Sequence, residues 1–308
     1  MEAPKFTLKY AEVMASYACN LSCVGCTNYS DYNYKGHPSW AEVEGDLVKW
    51  IGRIFFDNFA LIGGEPLLNP MIDQWLFGLR KLMPDTTITL VTNGTRIKHV
   101  PELLEWLAAC APAKLTVAPH IEHDAIGTWI EEAVQKYSPQ SEWLSSEYID
   151  VDGTKQSMRT ARLKQAPVVI EIFVPRIFVK SYRGSGANIL PWTHNNAAKA
   201  IEMCPCRFCP LMYRGRLYKC SQIAILRDHL TRLGLLESKE WQPYLQYRGI
   251  GPDDDESAIR RFVQLFGAPE MICTMCPGEG VPDSLIDHRN NVLTKKQWLE
   301  ANPELAVI

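Results

Sequence analysis

Apolar positions in the first half of the chain follow two alternating patterns. Short strand-like runs fall at residues 6–14, 54–62, 87–91 and 114–118, and a later one at 168–174. Between them lie stretches in which apolar residues recur at helical spacing. Over 39–53, Trp40, Val43, Leu47, Trp50, Ile51 and Ile54 make one face, and Ser39 with Glu42 forms a capping-box pattern. Asn69 and Pro70 cap and open a second helix carrying Trp75, Leu79 and Leu82. Further helices are predicted over 101–109 and 124–136. Strand then helix, four times over, is the order of a parallel sheet with crossover helices. Such sheets place ligands at the carboxyl ends of their strands. Residues 138–166 are polar and read as an irregular loop over the site. After about residue 200 the alternation fades, which divides the chain into 1–195 and a smaller region, 196–308.

Composition narrows the function classes. The chain has 308 residues, 46% of them hydrophobic, enough to bury a sizeable core. A net charge of −3 argues against a strongly basic duplex-binding surface, although DNA held by a few local contacts stays open. No apolar run is long enough to span a membrane, and no signal-peptide pattern opens the chain, so a cytoplasmic protein is expected. Ten cysteines are then conspicuous. In an intracellular chain, clustered cysteines point to metal or redox chemistry.

Three of them, Cys19, Cys23 and Cys26, form C-x3-C-x2-C directly after the first strand. A loop this short wraps something compact. Thiolates are the usual ligands of iron–sulfur clusters, and three of them leave one iron of a four-iron cubane open. A structural zinc site normally takes four ligands, and three buried free thiols are the other reading. Gly63-Gly64-Glu65-Pro66 follows the second strand, and Thr92-Asn93-Gly94 follows the third.

Together these motifs resemble the radical S-adenosylmethionine (SAM) superfamily over roughly residues 6–180. The resemblance implies a partial (β/α)6 TIM-like barrel. It implies a [4Fe–4S] cluster on Cys19, Cys23 and Cys26 whose open iron is chelated by the amino and carboxylate groups of SAM. Reductive cleavage would give methionine and a 5′-deoxyadenosyl radical that abstracts a substrate hydrogen, with the protein positioning the cofactor. Gly63 and Gly64 would let the backbone approach the methionine amine, Glu65 would accept from its ammonium, and Asn93 would contact the ribose or carboxylate. Many members carry an aromatic residue before the third cysteine. Gly25 stands there in this chain, with Tyr29, Tyr32 and Tyr34 as substitutes for packing near adenine or simply as half-buried residues.

The remaining cysteines lie at 110, 204, 206, 209, 220, 273 and 276. Cys110 sits in an apolar helix and reads as an ordinary buried residue. Cys220 after Gly215, with the distant Cys273-Thr-Met-Cys276, resembles the twitch domain, a shorter relative of the SPASM domain that holds one auxiliary [4Fe–4S] cluster. That implies ligation by Cys204, Cys220, Cys273 and Cys276, with Cys206 or Cys209 able to replace Cys204. A four-thiolate zinc site is the alternative.

The substrate is less legible. His120 and Glu122 follow the fourth strand and are the catalytic candidates, for substrate contact or proton transfer. His123 and Asp124 beside them read equally as helix-capping residues. Arg207, Arg214, Arg216, Lys219, Arg227 and Arg232 supply phosphate contacts or an ordinary solvated face. The acidic run 253–256 reads as a solvated loop or helix start. The resemblance implies an isomerase or oxidoreductase acting on a small-molecule, amino-acid-derived or nucleobase group, with flavodoxin or ferredoxin as electron donor. Tailoring of a modified thymine in phage DNA is one such job. Peptide maturation is an alternative, weakened because only 18 residues precede Cys19, too few for a peptide-recognition domain. A non-catalytic iron–sulfur or zinc module is the other.

Overall fold

A computed structural model describes residues 4–121, 123–149, 153–192, 196–278, 284–287, 291–301 and 303, with the backbone alone at His123. The chain packs as two compact units. One comprises Met1–Cys19 and Gly36–Arg176, the other Asn20–Lys35 and Ile177–Ile308.

The chain opens with β1 (Phe6–Leu8), β2 (Ala11–Ser16) and β3 (Leu21–Cys23). Then follow α1 (Trp40–Ile51), β4 (Ile54–Phe56), β5 (Asn58–Gly63) and α2 (Ile72–Leu82). Next come β6 (Thr87–Thr92), α3 (Leu103–Ala109), β7 (Ala113–Val117) and α4 (His123–Tyr137). Three further strands, β8 (Trp143–Ile149), β9 (Lys155–Arg162) and β10 (Val168–Phe173), complete the first unit.

In that unit β2, β5, β6, β7 and β10 are neighbours in a parallel sheet. The α/β class and the parallel-dominated sheet are those expected from the sequence. β2 is buried along its whole length, as a strand covered on both faces must be. α1 carries the complete capping box at Ser39 and Glu42. α2 turns Ile72, Trp75, Leu76 and Leu79 into the core, each worth about 1.5–3 kcal/mol when fully buried.

Three local expectations need correction. Residues 6–14 form two strands, not one. β1 pairs with β4, whereas β2 pairs with β5. Both runs break at polar residues, where Lys9 ion-pairs with Asp57 and the Asp57 N–H donates to the Leu8 carbonyl at 3.0 Å. Residues 138–166 are not an irregular loop: β8 and β9 pair antiparallel, and β9 pairs with β10. This extension is held by the ladder more than by burial, with Leu144 63% and Ile149 65% exposed, so its sequence lacks the one-sided apolar alternation that marks a core strand. The second helix begins at Ile72 rather than Pro70. Asn69 still caps locally, its Oδ1 accepting from the Met71 N–H at 2.9 Å, while its Nδ2 donates to the Ala15 carbonyl at the end of β2 (2.8 Å).

The second unit contains β3, then β11 (Ile177–Val179), α5 (Ala197–Glu202), β12 (Leu211–Tyr213), β13 (Arg216–Tyr218) and α6 (Ser221–Arg232). α7 (Gln242–Leu245), α8 (Glu256–Gln264), β14 (Leu285–Asp287), β15 (Val292–Thr294) and α9 (Lys295–Ala301) follow. β11 pairs with β14, and β15 with β3. β12 and β13 make a hairpin whose two-residue turn, Arg214-Gly215, has positive φ at both positions (48° and 75°), as a type I′ turn requires. Fully buried Trp241, Leu211, Leu217, Leu230 and Ile259 form part of the core. The acidic run ends as a helix start, Asp255 accepting from the Ala258 N–H at 2.8 Å to cap α8. Among the described residues no helix is long and apolar enough to cross a membrane.

Candidate functional site

In the first unit the unusual motifs collect at the carboxyl ends of β2, β5, β6 and β7. The segment after β2, leading to Cys19, is tied to the segment after β5. The Gly64 N–H donates to the Ser16 carbonyl (2.9 Å) and the Glu65 N–H to the Ala18 carbonyl (2.8 Å). The two glycines are required by this approach. A Cβ on Gly63 would lie 2.1 Å from the Ser16 carbonyl oxygen, and one on Gly64 2.3 Å from that of Ala18, far inside any allowed contact.

Glu65 has no exposed surface. Its Oε1 accepts from the Leu67 N–H (3.0 Å) and the Thr92 hydroxyl (2.6 Å), and its Oε2 from the Asn93 N–H (2.8 Å). The carboxyl therefore clamps the end of β5 to the end of β6. Burial pushes it above the usual carboxylate range, against the pull of these donors and of nearby Arg96. Asn93 continues the clamp toward the cysteine: its Nδ2 lies 3.8 Å from the Cys19 sulfur, and its Oδ1 accepts from the Thr95 N–H and hydroxyl (3.0 and 2.6 Å).

Arg96 was not singled out from the sequence. Its Nε is buried without a hydrogen-bond partner, on the loop after β6. A cation two residues beyond Thr-Asn-Gly was the available signal. His120 lies just past the end of β7 and is half-buried. Glu122 lies outside the described residues. His123 opens α4 and Asp124 stands in its first turn.

Cys23 and Cys26 belong to the second unit. Cys23 ends β3 and is buried, and the Cys26 N–H donates to its carbonyl at 3.1 Å. Burial and then the Asp31 carboxylate raise the Cys26 thiol pKa. Gly25 between them has φ +78°, a backbone conformation that an aromatic side chain there would strain. Tyr29, Tyr32 and Tyr34 gather on His229 in this unit. Tyr29 stacks on its ring at 4.0 Å, Tyr32 meets it edge-on at 4.4 Å, and the Tyr34 hydroxyl lies 3.0 Å from its Nδ1.

The later cysteines converge in the second unit. Cys204, Cys206, Cys220, Cys273 and Cys276 line one small cavity with Ile201, Gln222 and Met275, and Cys209 does not. Cys204 follows α5, Cys220 is the N-cap of α6, and Cys273 and Cys276 lie on and just after a 3-10 turn at Met271–Met275. Burial, then the neighbouring sulfurs, hold the thiols protonated. Cys204 is pushed up to about 11 and Cys220 to about 12, and Cys276 is raised well above the ordinary thiol value. No three His, Cys, Asp or Glu side chains among the described residues are drawn together as ligands of a single metal ion. The basic residues of the region are largely committed to the protein. Arg214 pairs with Asp228 (2.7 Å), Arg216 with Asp254 (3.3 Å) and Lys219 with Glu270 (3.0 Å). Cys110 is buried beyond the end of α3, as expected.

Residues 13–140 match the Radical SAM superfamily. GTP 3′,8-cyclase of Nautilia profundicola is 26% identical over 102 residues, which is 32% of this chain and 31% of that protein. Among solved structures, anSMEcpe with bound AdoMet shares 22% identity over 42% of this chain and 40% of its own, with a TM-score of 0.32. BtrN in complex with AdoMet and 2-DOIA shares 14% over 90% of this chain and 96% of its own, with a TM-score of 0.45. The match to the cyclase thus spans less than a third of that relative's length.

Proposed function

Through residues 13–140 the chain belongs to the radical SAM superfamily, and from that premise we propose that it is a two-cluster radical SAM enzyme. In this reading Cys19, Cys23 and Cys26 hold a SAM-binding [4Fe–4S] cluster. Cys204, Cys220, Cys273 and Cys276 hold an auxiliary one. The observation that carries the proposal is the clamp at the strand ends. Glu65, Thr92 and Asn93 fix the loops after β5 and β6 beside Cys19. The residues suit a small zwitterion. Arg96 Nε is an orphaned buried donor fit for a carboxylate. Glu65 Oε2, with one donor so far, has capacity left for an ammonium.

When bound, the cluster and SAM supply a radical that abstracts a substrate hydrogen. The protein's part is positioning. Gly63 and Gly64 hold the Cys19 segment close, and Glu65 keeps two loops in register. His120, past β7, is a substrate-contacting or proton-transferring group in this reading. The cavity shared by Cys204, Cys220, Cys273 and Cys276 supports a four-thiolate site, assigned in this reading to the second cluster, with a four-thiolate zinc site as the alternative. Cys204 serves as fourth ligand, with Cys206 beside it on the cavity wall.

The reaction is an isomerisation or oxidation of a small-molecule, amino-acid-derived or nucleobase group. The likeness to a protein named for GTP supports the nucleobase member of that set. A ferredoxin- or flavodoxin-class donor supplies the electron. Anaerobic reconstitution tests the reading. About eight irons per chain are expected, and about four would remove the auxiliary cluster. Reduced protein is expected to release 5′-deoxyadenosine from SAM. If wild type releases none, the protein is an iron–sulfur module rather than an enzyme.

A further inference from the structure

We infer that the buried positive charge of Lys219 sets the reduction potential of the auxiliary cluster, an assignment that rests on the two-cluster reading. Lys219 directly precedes Cys220 and lines the same cavity as Cys204, Cys220, Cys273 and Cys276. Its side chain is only 6% exposed. The ammonium is fixed on two anchors, the Glu270 carboxylate at 3.0 Å and the Leu265 carbonyl at 3.2 Å. Both anchors precede Cys273 in the same stretch of chain. The segment that delivers two of the thiols therefore also fixes the cation in the wall of the same cavity.

Two cations line the cavity, and they differ in kind. Arg207 is exposed, lies over the Phe208 ring at 4.7 Å, and is screened by water. Lys219 is screened far less, because the medium around it is protein. Burying a lysine is costly unless something compensates. Glu270 compensates in part, but it is 23% exposed and water shares its charge. The remaining compensation comes from the thiolates, which a bound cluster keeps ionised.

Reduction of the cluster adds one electron and breaks no bond. All four thiolates stay, and the cavity becomes one unit more negative. A fixed cation on the cavity wall stabilises that state more than the oxidised one and so raises the potential. A purely structural Lys219–Glu270 pair predicts no such dependence, since either substitution would then simply weaken the fold.

The experiment is a potentiometric titration of full-length reconstituted protein with a low-potential reductant, followed by the paramagnetic signal of the reduced cluster. A Cys19→Ala/Cys23→Ala/Cys26→Ala background isolates the auxiliary signal. Lys219→Met is expected to disfavour reduction about tenfold, which is about 59 mV for a one-electron couple. Lys219→Arg, which keeps the charge, stays within about twofold of the background protein. Glu270→Gln leaves the cation without its counter-charge and moves the potential upward by more than about twofold. The assignment is overturned if Lys219→Met carries full iron and shifts the potential less than twofold, or if Glu270→Gln lowers it. Should Lys219→Met fail to load iron, the direction of the Glu270→Gln shift decides. A background protein without iron overturns the two-cluster reading, and this assignment with it.

Discussion

Replacing Glu65 with glutamine removes one acceptor oxygen from a site that uses both. The wild-type carboxylate takes Leu67 N–H and Thr92 O–H on one oxygen and Asn93 N–H on the other. An amide has only one acceptor oxygen. If that oxygen stays with Leu67 and Thr92, the amide NH2 faces the Asn93 N–H. If the amide is flipped, the NH2 faces the Leu67 N–H. Either way one buried backbone donor is left against another donor. An unsatisfied buried donor costs about 1–3 kcal/mol, and a hydrogen bond to a charged acceptor is worth about 1.5–3 kcal/mol. The two overlap, so Glu65→Gln should cost about 2–4 kcal/mol. Thr92→Val removes a hydroxyl that donates to Glu65 and accepts from the Gly94 N–H at 3.1 Å, and should cost about 1–3 kcal/mol. Because the two share Oε1, their double variant should fall short of the sum. Urea unfolding of the cluster-free protein, followed by tryptophan fluorescence, reads this without involving SAM. The same titrations across pH give a second check. Burial holds the Glu65 carboxyl above its ordinary 4.5. Its contribution is therefore complete below 4.5 and lost as pH rises through the folded value. Glu65→Gln should remove that dependence. A loss below about 0.5 kcal/mol, within the range of ordinary surface substitutions, would mean that the clamp does not form as described.

Three other outcomes follow from the same geometry. Burial, then Arg232, depresses His229 from 6.5 to about 3, so its contribution is present above 6.5 and lost as pH falls toward 3. The full drop is worth about 5 kcal/mol. His229→Phe keeps a ring against Tyr29 and should flatten this acid sensitivity in urea midpoints between pH 4 and 7, and an unchanged slope would refute the burial argument. Gly64→Ala drives a Cβ to 2.3 Å from the Ala18 carbonyl oxygen, and should cost more than about 2 kcal/mol in the same unfolding assay, because the obstacle is backbone and cannot rotate away. Cys204→Ser should halve the iron content and Cys209→Ser should leave it unchanged, as measured by metal analysis after reconstitution. The reverse pattern would move the fourth ligand to Cys209.

Much of the strand-end chemistry was legible because it rests on local rules. Helical periodicity located α1 and α2, the Ser39–Glu42 box marked the start of α1, and alternation placed Gly63-Gly64-Glu65 and Thr92-Asn93-Gly94 at consecutive strand ends. What the residues do there was less legible, since it depends on partners distant in sequence. The smallness of Gly63 and Gly64 serves the Ser16 and Ala18 carbonyls. Glu65 spends its oxygens on Thr92 and Asn93, some 27 and 28 residues away. Arg96 matters through burial, which spacing does not reveal. The β8–β9 pair escaped for the opposite reason: it buries little, so no apolar pattern announces it. The cysteine region shows both cases in one place. Sequence spacing favoured Cys204 and left Cys206 and Cys209 as replacements, because each lies within a few residues of the same loop. The cavity separates them, since it takes Cys204 and Cys206 into its wall and leaves Cys209 out. Lys219 belongs to the same class as Arg96. In sequence it is one of six scattered cations, and only its burial in the wall of the cysteine-lined cavity distinguishes it from the other five.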